Sequence, residues 1–247
     1  MRTNNGNRFE FGIFGFDSML SNGMPYGNQV LIAGSPGCGK TLMAFEIIYR
    51  NAIKGNPGLI ILFEQKVEDF IDNVKDAFSD QDDIDKLIEN KVIKIINIDI
   101  MLNFTKADGN DMFLTFKNIV NRIEEEIKSF NPKCVVIDSI SLLKFIASNE
   151  NILVYRKSIF VLITLLHNYN ITAFFTIDNS SISREELVFQ PEFYIFDGVI
   201  MLYAGIESIR REFTLEILKI RGAAHSKTIA SYIITARGFS ILSNEVA

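Results

Sequence analysis

The sequence predicts an α/β fold, a mostly parallel sheet flanked by helices with antiparallel strands at its C-terminal end. Three observations predict it. Short runs that are apolar at nearly every position recur along the chain, as strands buried on both faces require. Segments with apolar residues at helical spacing lie between them. Near the C-terminus the pattern changes to strict alternation, the mark of a half-exposed strand.

Taken in order, the first strand is Val30-Leu31-Ile32-Ala33, followed by a glycine-rich loop and a helix-compatible stretch over 41–53. Residues 59–63 form a second apolar run, and 92–96 a third, interrupted only by Lys94. Between these two, Glu68, Asp69, Asp72, Asp76, Asp80, Asp82, Asp83 and Asp85 outnumber Lys75 and Lys86, which predicts a solvated helix and loop. Phe116, Ile119, Val120, Ile123 and Ile127 share one helix face, with Lys117, Asn121, Arg122, Glu124 and Glu125 on the other. Further apolar strands are expected at 134–137 and 171–177, separated by a helix over 150–168 that is apolar over most of its girth. Phe213, Leu215 and Ile217 then alternate with Glu212, Thr214 and Glu216; a second such strand covers 229–235, and Arg237-Gly238 turns into a last one ending near Ile241.

Composition narrows the class. No Pro/Ser/Gly-rich linker, repeat or low-complexity tract divides the 247 residues, so one domain over 1–247 is expected. Hydrophobic residues make up 48% of the chain and Phe alone contributes 21, enough for a large core with a surplus to bury between subunits. A net charge of −5 argues against a generally basic nucleic-acid binder. The two cysteines, Cys38 and Cys134, suggest no staple, and with His167 and His225 they make no metal-ligand spacing. The N-terminus lacks a signal peptide's apolar core and no run reaches the length of a membrane span, so a cytoplasmic protein without a membrane partner is expected.

The chemistry starts in the loop. Gly34-Ser35-Pro36-Gly37-Cys38-Gly39-Lys40-Thr41 matches G-x-x-x-x-G-K-[ST] at every fixed position and stands between a strand and a helix. That context aims backbone N–H groups and the positive end of a helix dipole at one anion. Lys40 supplies a charge for the terminal phosphates and the Thr41 hydroxyl a ligand for Mg²⁺, so a nucleoside triphosphate with Mg²⁺ is the expected ligand. Lys133-Cys134-Val135-Val136-Ile137-Asp138-Ser139 is an apolar strand ending in an acid, as a Walker B strand does, which beside the phosphate loop puts Asp138 in the metal shell; the alternative is an aspartate that N-caps the next turn. Glu64, after the 59–63 strand, has two readings of equal standing: a base that polarises the attacking water, or an ordinary polar residue at a strand exit. Thr176 reads first as a core or turn hydroxyl and second as a γ-phosphate sensor. Continued alternation from Phe213 puts Lys219 and Arg221 on the apolar parity, as cations reaching a neighbour's nucleotide would be; the simpler alternative is that the strand ends by Leu218, leaving Lys219, Arg221 and His225 in a solvated loop.

The segments Phe14-Gly15-Phe16-Asp17 and Asn22-Gly23-Met24-Pro25-Tyr26-Gly27, the phosphate loop, Leu62-Phe63-Glu64-Gln65, Val136-Ile137-Asp138-Ser139 and Leu218-Lys219-Ile220-Arg221-Gly222 with His225 together resemble the KaiC-like branch of the RecA superfamily. The resemblance covers nearly the whole chain. It implies a RecA-like P-loop ATPase core and a homo-oligomeric ring, often a hexamer, with ATP between subunits. By position it makes Glu64 the catalytic glutamate and Asp138 the Walker B acid, and sends Lys219, Arg221 and His225 to the nucleotide of the neighbouring protomer. Many relatives carry two acids where this chain has Glu64-Gln65, and the clock relatives carry two such domains, so a stand-alone homologue is expected. A regulatory or signalling ATPase with possible protein partners follows; the alternatives are an ATP-gated scaffold that hardly hydrolyses, and a recombinase paralogue on single-stranded DNA. The latter is disfavoured because residues 178–192 offer Arg184 against Asp178, Glu185, Glu186 and Glu192, with Phe189 to stack. A small-molecule kinase fits less well, since no arginine-rich lid separates the Walker elements.

Overall fold

The computed structural model describes residues 8–21, 23–99, 112–148, 152–207 and 210–242. Its strands are β1 (Gln29–Gly34), β2 (Gly58–Leu62), β3 (Ile93–Asn97), β4 (Cys134–Asp138), β5 (Thr172–Asp178), β6 (Gly198–Glu207), β7 (Arg210–Ile220), β8 (Ala230–Thr235) and β9 (Gly238–Leu242). They form one sheet in the order β3-β2-β4-β5-β1-β6-β7-β8-β9. The first six in that order run parallel, and β6 to β9 are antiparallel neighbours. This is the mostly parallel, helix-flanked sheet with an antiparallel C-terminal extension that the sequence predicts.

Continuous hydrophobicity in the strands serves two separate cores. Val30, Ile32, Ile60 and Leu62 face one layer; Leu31, Ala33, Leu59 and Ile61 face the other. The first layer is covered by α1 (Lys40–Ile53), α2 (Val67–Ala77) and α3 (Ile84–Glu89), the second by α4 (Met112–Phe130), α5 (Ser141–Ser148) and α6 (Ile152–Asn168). Each fully buried aliphatic or aromatic side chain contributes about 1.5–3 kcal/mol. The acids of 68–85 are exposed, as a solvated face requires. The helix expected over 150–168 is α6; residues 150 and 151 lie outside the described residues.

Two features differ from the sequence reading. The sixth strand was not expected: β6 lies beside β1 in parallel, Val30 opposite Gly198 and Gly34 opposite Leu202, so β1 is central. The second concerns β7, which continues through Ile220 rather than stopping at Leu218. Its ladder with β6 slips between Val199 and Ile200: Ile200 faces Ile217 while Val199 faces Lys219, leaving Leu218 as the extra residue of a bulge. The bulge reverses parity. Ile217 and Ile220 now pack in the first core, Leu218 packs against the second, and Lys219 reaches Phe196 of that second side. The unbroken alternation that placed Lys219 with Phe213, Leu215 and Ile217 is therefore not what the backbone does.

The register gathers the functional strand ends. Gly34 of β1 is opposite Asp178 of β5, and Leu62 of β2 opposite Asp138 of β4, so four carboxyl ends meet at one edge. In open α/β sheets that edge is where ligands bind.

Candidate nucleotide site

The loop after β1 has the conformation its glycines permit. Gly37 and Gly39 sit at φ +80° and +93°, and a Cβ on Gly34 would lie 2.3 Å from the Leu202 carbonyl oxygen. Helix α1 begins at Lys40, so its first-turn N–H groups have no carbonyl of their own helix to bond and point toward the loop. Ser35 and Cys38 are buried, Pro36 and Gly37 exposed. The loop is braced from the C-terminal extension. The Tyr232 hydroxyl donates to the Cys38 carbonyl at 2.5 Å, and Ile234 and Phe239 pack where a side chain on Gly39 would stand. Burial pushes the Cys38 thiol up from its ordinary value, which keeps it a neutral packing group.

Lys40 is buried and its ammonium is fully engaged: it donates to the carbonyls of Gly34 (3.0 Å) and Ser35 (3.1 Å) and pairs with Asp178 Oδ1 at 2.9 Å. Beside it Asp138, only 5% exposed, accepts from Thr41 Oγ1 at 2.9 Å on one oxygen and from the Thr176 hydroxyl on the other. Gln65 Nε2 approaches the first of these at 3.4 Å. Burial raises the Asp138 carboxyl above the usual carboxylate range, while the hydrogen bonds from Thr176 and Thr41 and the charge of Lys40 oppose it. Taking a carboxylate out of water is costly unless a cation compensates. Glu64 is exposed at the rim, where Ser139 Oγ donates to its Oε1 at 2.6 Å. Lys40, Thr41, Glu64, Gln65, Asp138, Ser139 and Asp178 line one cavity of about 390 Å³.

The donor set suits Mg²⁺, a hard ion held by one or two protein oxygens with substrate phosphates and waters. Thr41 and Asp138 would hold it, and the glycine cradle with Lys40 would hold the phosphates. Lys219, Arg221 and His225 lie elsewhere. Arg221 donates its N–H to Asp197, which in turn donates to Gln29 at the start of β1. Gly34 is five residues further along that strand, roughly 17 Å away. Lys219 Nζ donates to the Phe196 carbonyl at 2.6 Å, and burial lowers its ammonium below the usual lysine range. The Arg221 guanidinium contacts Asp197 Oδ1 (3.2 Å) and the Tyr194 carbonyl (3.3 Å); His225 contacts Lys227 Nζ through Nε2 at 3.1 Å. The structure thus brings Lys40, Thr41, Glu64, Asp138 and Thr176 together and leaves Lys219, Arg221 and His225 outside this chain's own cavity.

Sequence reasoning missed three members of the site. Asp178 stands one residue beyond an apolar run and reads as a loop acid; its strand partner Gly34 is the signal that matters, and only the register reveals it. Ser139 follows the Walker B acid and orients Glu64. Arg211 Nη1 lies 3.6 Å from the position a Cβ on Gly37 would take.

The model of the KaiC ATPase family matches residues 9–246. The chain belongs to that family. Similar proteins include circadian clock oscillator protein KaiC 1 of Synechocystis sp., 30% identical over 93% of this chain and 43% of the relative. The clock oscillator proteins KaiC of Picosynechococcus sp. and Parasynechococcus marenigrum are each 30% identical over 93% of this chain, covering 43% and 44% of their own lengths. The chain therefore spans less than half the length of these relatives. Family membership makes the fold RecA-like and the loop that of a P-loop ATPase. Among the described residues no helix is long and apolar enough to cross a membrane.

Proposed function

We propose that the chain is a Mg²⁺-dependent ATPase that works at the subunit interfaces of a ring-shaped homo-oligomer, as a regulatory or signalling protein. The observation that carries the reading is the buried Asp138 carboxylate, held by Thr41 and Thr176 next to Lys40 at the ends of β1, β4 and β5. Lys40 and the loop amides bind the β- and γ-phosphates; Thr41 and Asp138 would hold a Mg²⁺, which would supply positive charge against the charge that develops there. Glu64 orients a water and takes its proton as the water oxygen bonds to the γ-phosphorus; the bond to the β–γ bridging oxygen breaks and ADP leaves with its electrons. Ser139 fixes the Glu64 carboxylate for that task. Lys219, Arg221 and His225 of a second copy supply the cations that this chain's own cavity does not receive from its tail.

The test is ATP turnover with Mg²⁺, coupled to mass in solution with and without nucleotide. Loss of turnover in both Lys40→Ala and Asp138→Asn, with a nucleotide-dependent rise in mass in the unaltered protein, is the expected result. Turnover intact in both variants overturns the assignment of the site. A second reading, an ATP-gated scaffold with little hydrolysis, is favoured by Gln65, a neutral amide facing Asp138 where many relatives of the family have a second acid. Glu64→Gln separates the two: a turnover rate that collapses on this change belongs to an enzyme. Nucleic acid has no evident place in either reading, because Arg184 is held by Glu216 at 3.2 Å and is the one cation in 178–192.

A further inference from the structure

We infer that Asp178 is an internal competitor for the phosphate seat on Lys40, and that it sets how strongly the site holds a nucleoside triphosphate relative to a diphosphate. The inference rests on the phosphate-binding reading above. An ammonium has three protons, and those of Lys40 are matched by three oxygens: the carbonyls of Gly34 and Ser35 and the carboxylate of Asp178. A phosphate oxygen joins Lys40 only if one of them leaves. The carbonyls cannot, because they belong to the loop, and that of Gly34 also accepts from the Asn179 N–H at 2.9 Å. Asp178 can. Its backbone is fixed, with Gly34 opposite it in the sheet, its N–H on Ser141 Oγ (2.8 Å) and its carbonyl on Gln190 Nε2 (3.2 Å). Its side chain is 54% exposed and turns about its own bonds without disturbing any of these.

The displaced carboxylate stays close. Asp178 lines both the 390 Å³ cavity and an adjoining one of about 650 Å³, so on leaving Lys40 it swings into a space bordered by Ser141, Asn179 and Ser180. From there it still faces the terminal phosphate with the same sign of charge, and it can reclaim Lys40 once that phosphate has gone. A triphosphate, with the greater charge at this end, loses more by its presence than a diphosphate does. Asp178 thus favours release of the triphosphate and return of the lysine to the closed pair.

Isothermal titration of the full chain with AMP-PNP and with ADP, each with Mg²⁺, tests this in Asp178→Asn, with Asp178→Ser as a second neutral variant. The expected result is a dissociation constant for AMP-PNP about two- to fivefold lower, the range of a half-exposed ion pair, with a smaller gain for ADP. Raising the ionic strength should shrink the gain. Unchanged or weaker AMP-PNP binding in both variants overturns the inference, weaker binding marking Asp178 as a ligand rather than a competitor. If the unaltered protein takes up neither nucleotide, the phosphate-binding reading itself fails, and the inference with it.

Discussion

Thr41 and Asp138, 97 residues apart in sequence, meet through a 2.9 Å hydrogen bond between the first turn of α1 and the end of β4. The contact joins the phosphate loop to the Walker B strand, and it places side by side two oxygens that a divalent cation would take together. Asp138→Asn should lower Mg²⁺-dependent turnover by about a hundredfold or more. Its melting temperature should hold or rise, since the change removes a buried charge whose desolvation the fold bears. Thr41→Ala should lose activity that Thr41→Ser, which keeps the hydroxyl, recovers. Thermal melts beside phosphate-release assays check both.

Glu64 acts on water in this scheme and Ser139 acts on Glu64. Removing the base, by Glu64→Gln, should cut turnover about 10²- to 10⁴-fold while ATP binding persists. Ser139→Ala should cost less, about tenfold, because the carboxylate remains but its orientation is no longer fixed. Single-turnover kinetics with the binding constant measured in parallel would tell the two apart.

The distance of Arg221 from its own phosphate loop gives a mixing test. Arg221→Ala and Glu64→Gln should each be nearly inactive alone. Co-assembled in equal amounts, about a quarter of the interfaces would pair an intact Glu64 with an intact Arg221, and activity should reappear to that extent. No recovery in oligomers shown to be mixed would remove Arg221 from the neighbour's site.

Gly238 is where the last hairpin docks. Its φ is +117°, and a Cβ there would stand 2.1 Å from Oε1 of Glu46, the buried carboxylate whose other oxygen accepts the Phe239 N–H at 2.7 Å. Gly238→Ala should destabilise by about 2 kcal/mol or more, read from denaturant midpoints.

Both thiols are buried, and burial pushes each up from its ordinary value. Neither Cys38, despite its place in the phosphate loop, nor Cys134 should react with a thiol reagent at pH 8 until denaturant is added, when both should.

The parts of this molecule that were legible in the sequence are those carried by local pattern. Strands such as 134–137 announce themselves because both faces are buried, and the phosphate loop because its geometry admits few residues. Glu64, Asp138 and Thr176 were legible as strand-end polar groups, and their meeting at one nucleotide was expected from the phosphate loop and the resemblance, since local pattern alone does not set strand order. Asp178 was overlooked for that reason: nothing local ties it to Lys40, and only the pairing of β5 with β1 does. The parity of Lys219 was misread because a bulge is set by the ladder with β6, not by the residues of β7 alone. β6 itself is an apolar run after a polar loop, less distinct in sequence than the patterns on either side.

The 2.5 Å bond from the Tyr232 hydroxyl to the Cys38 carbonyl has a consequence for how the chain tolerates change. The outer wall of the anion cradle is built by residues nearly two hundred positions downstream of it. A lesion in β8 or β9, remote from every phosphate, should therefore register first as slack in the grip on nucleotide, before the sheet as a whole gives way.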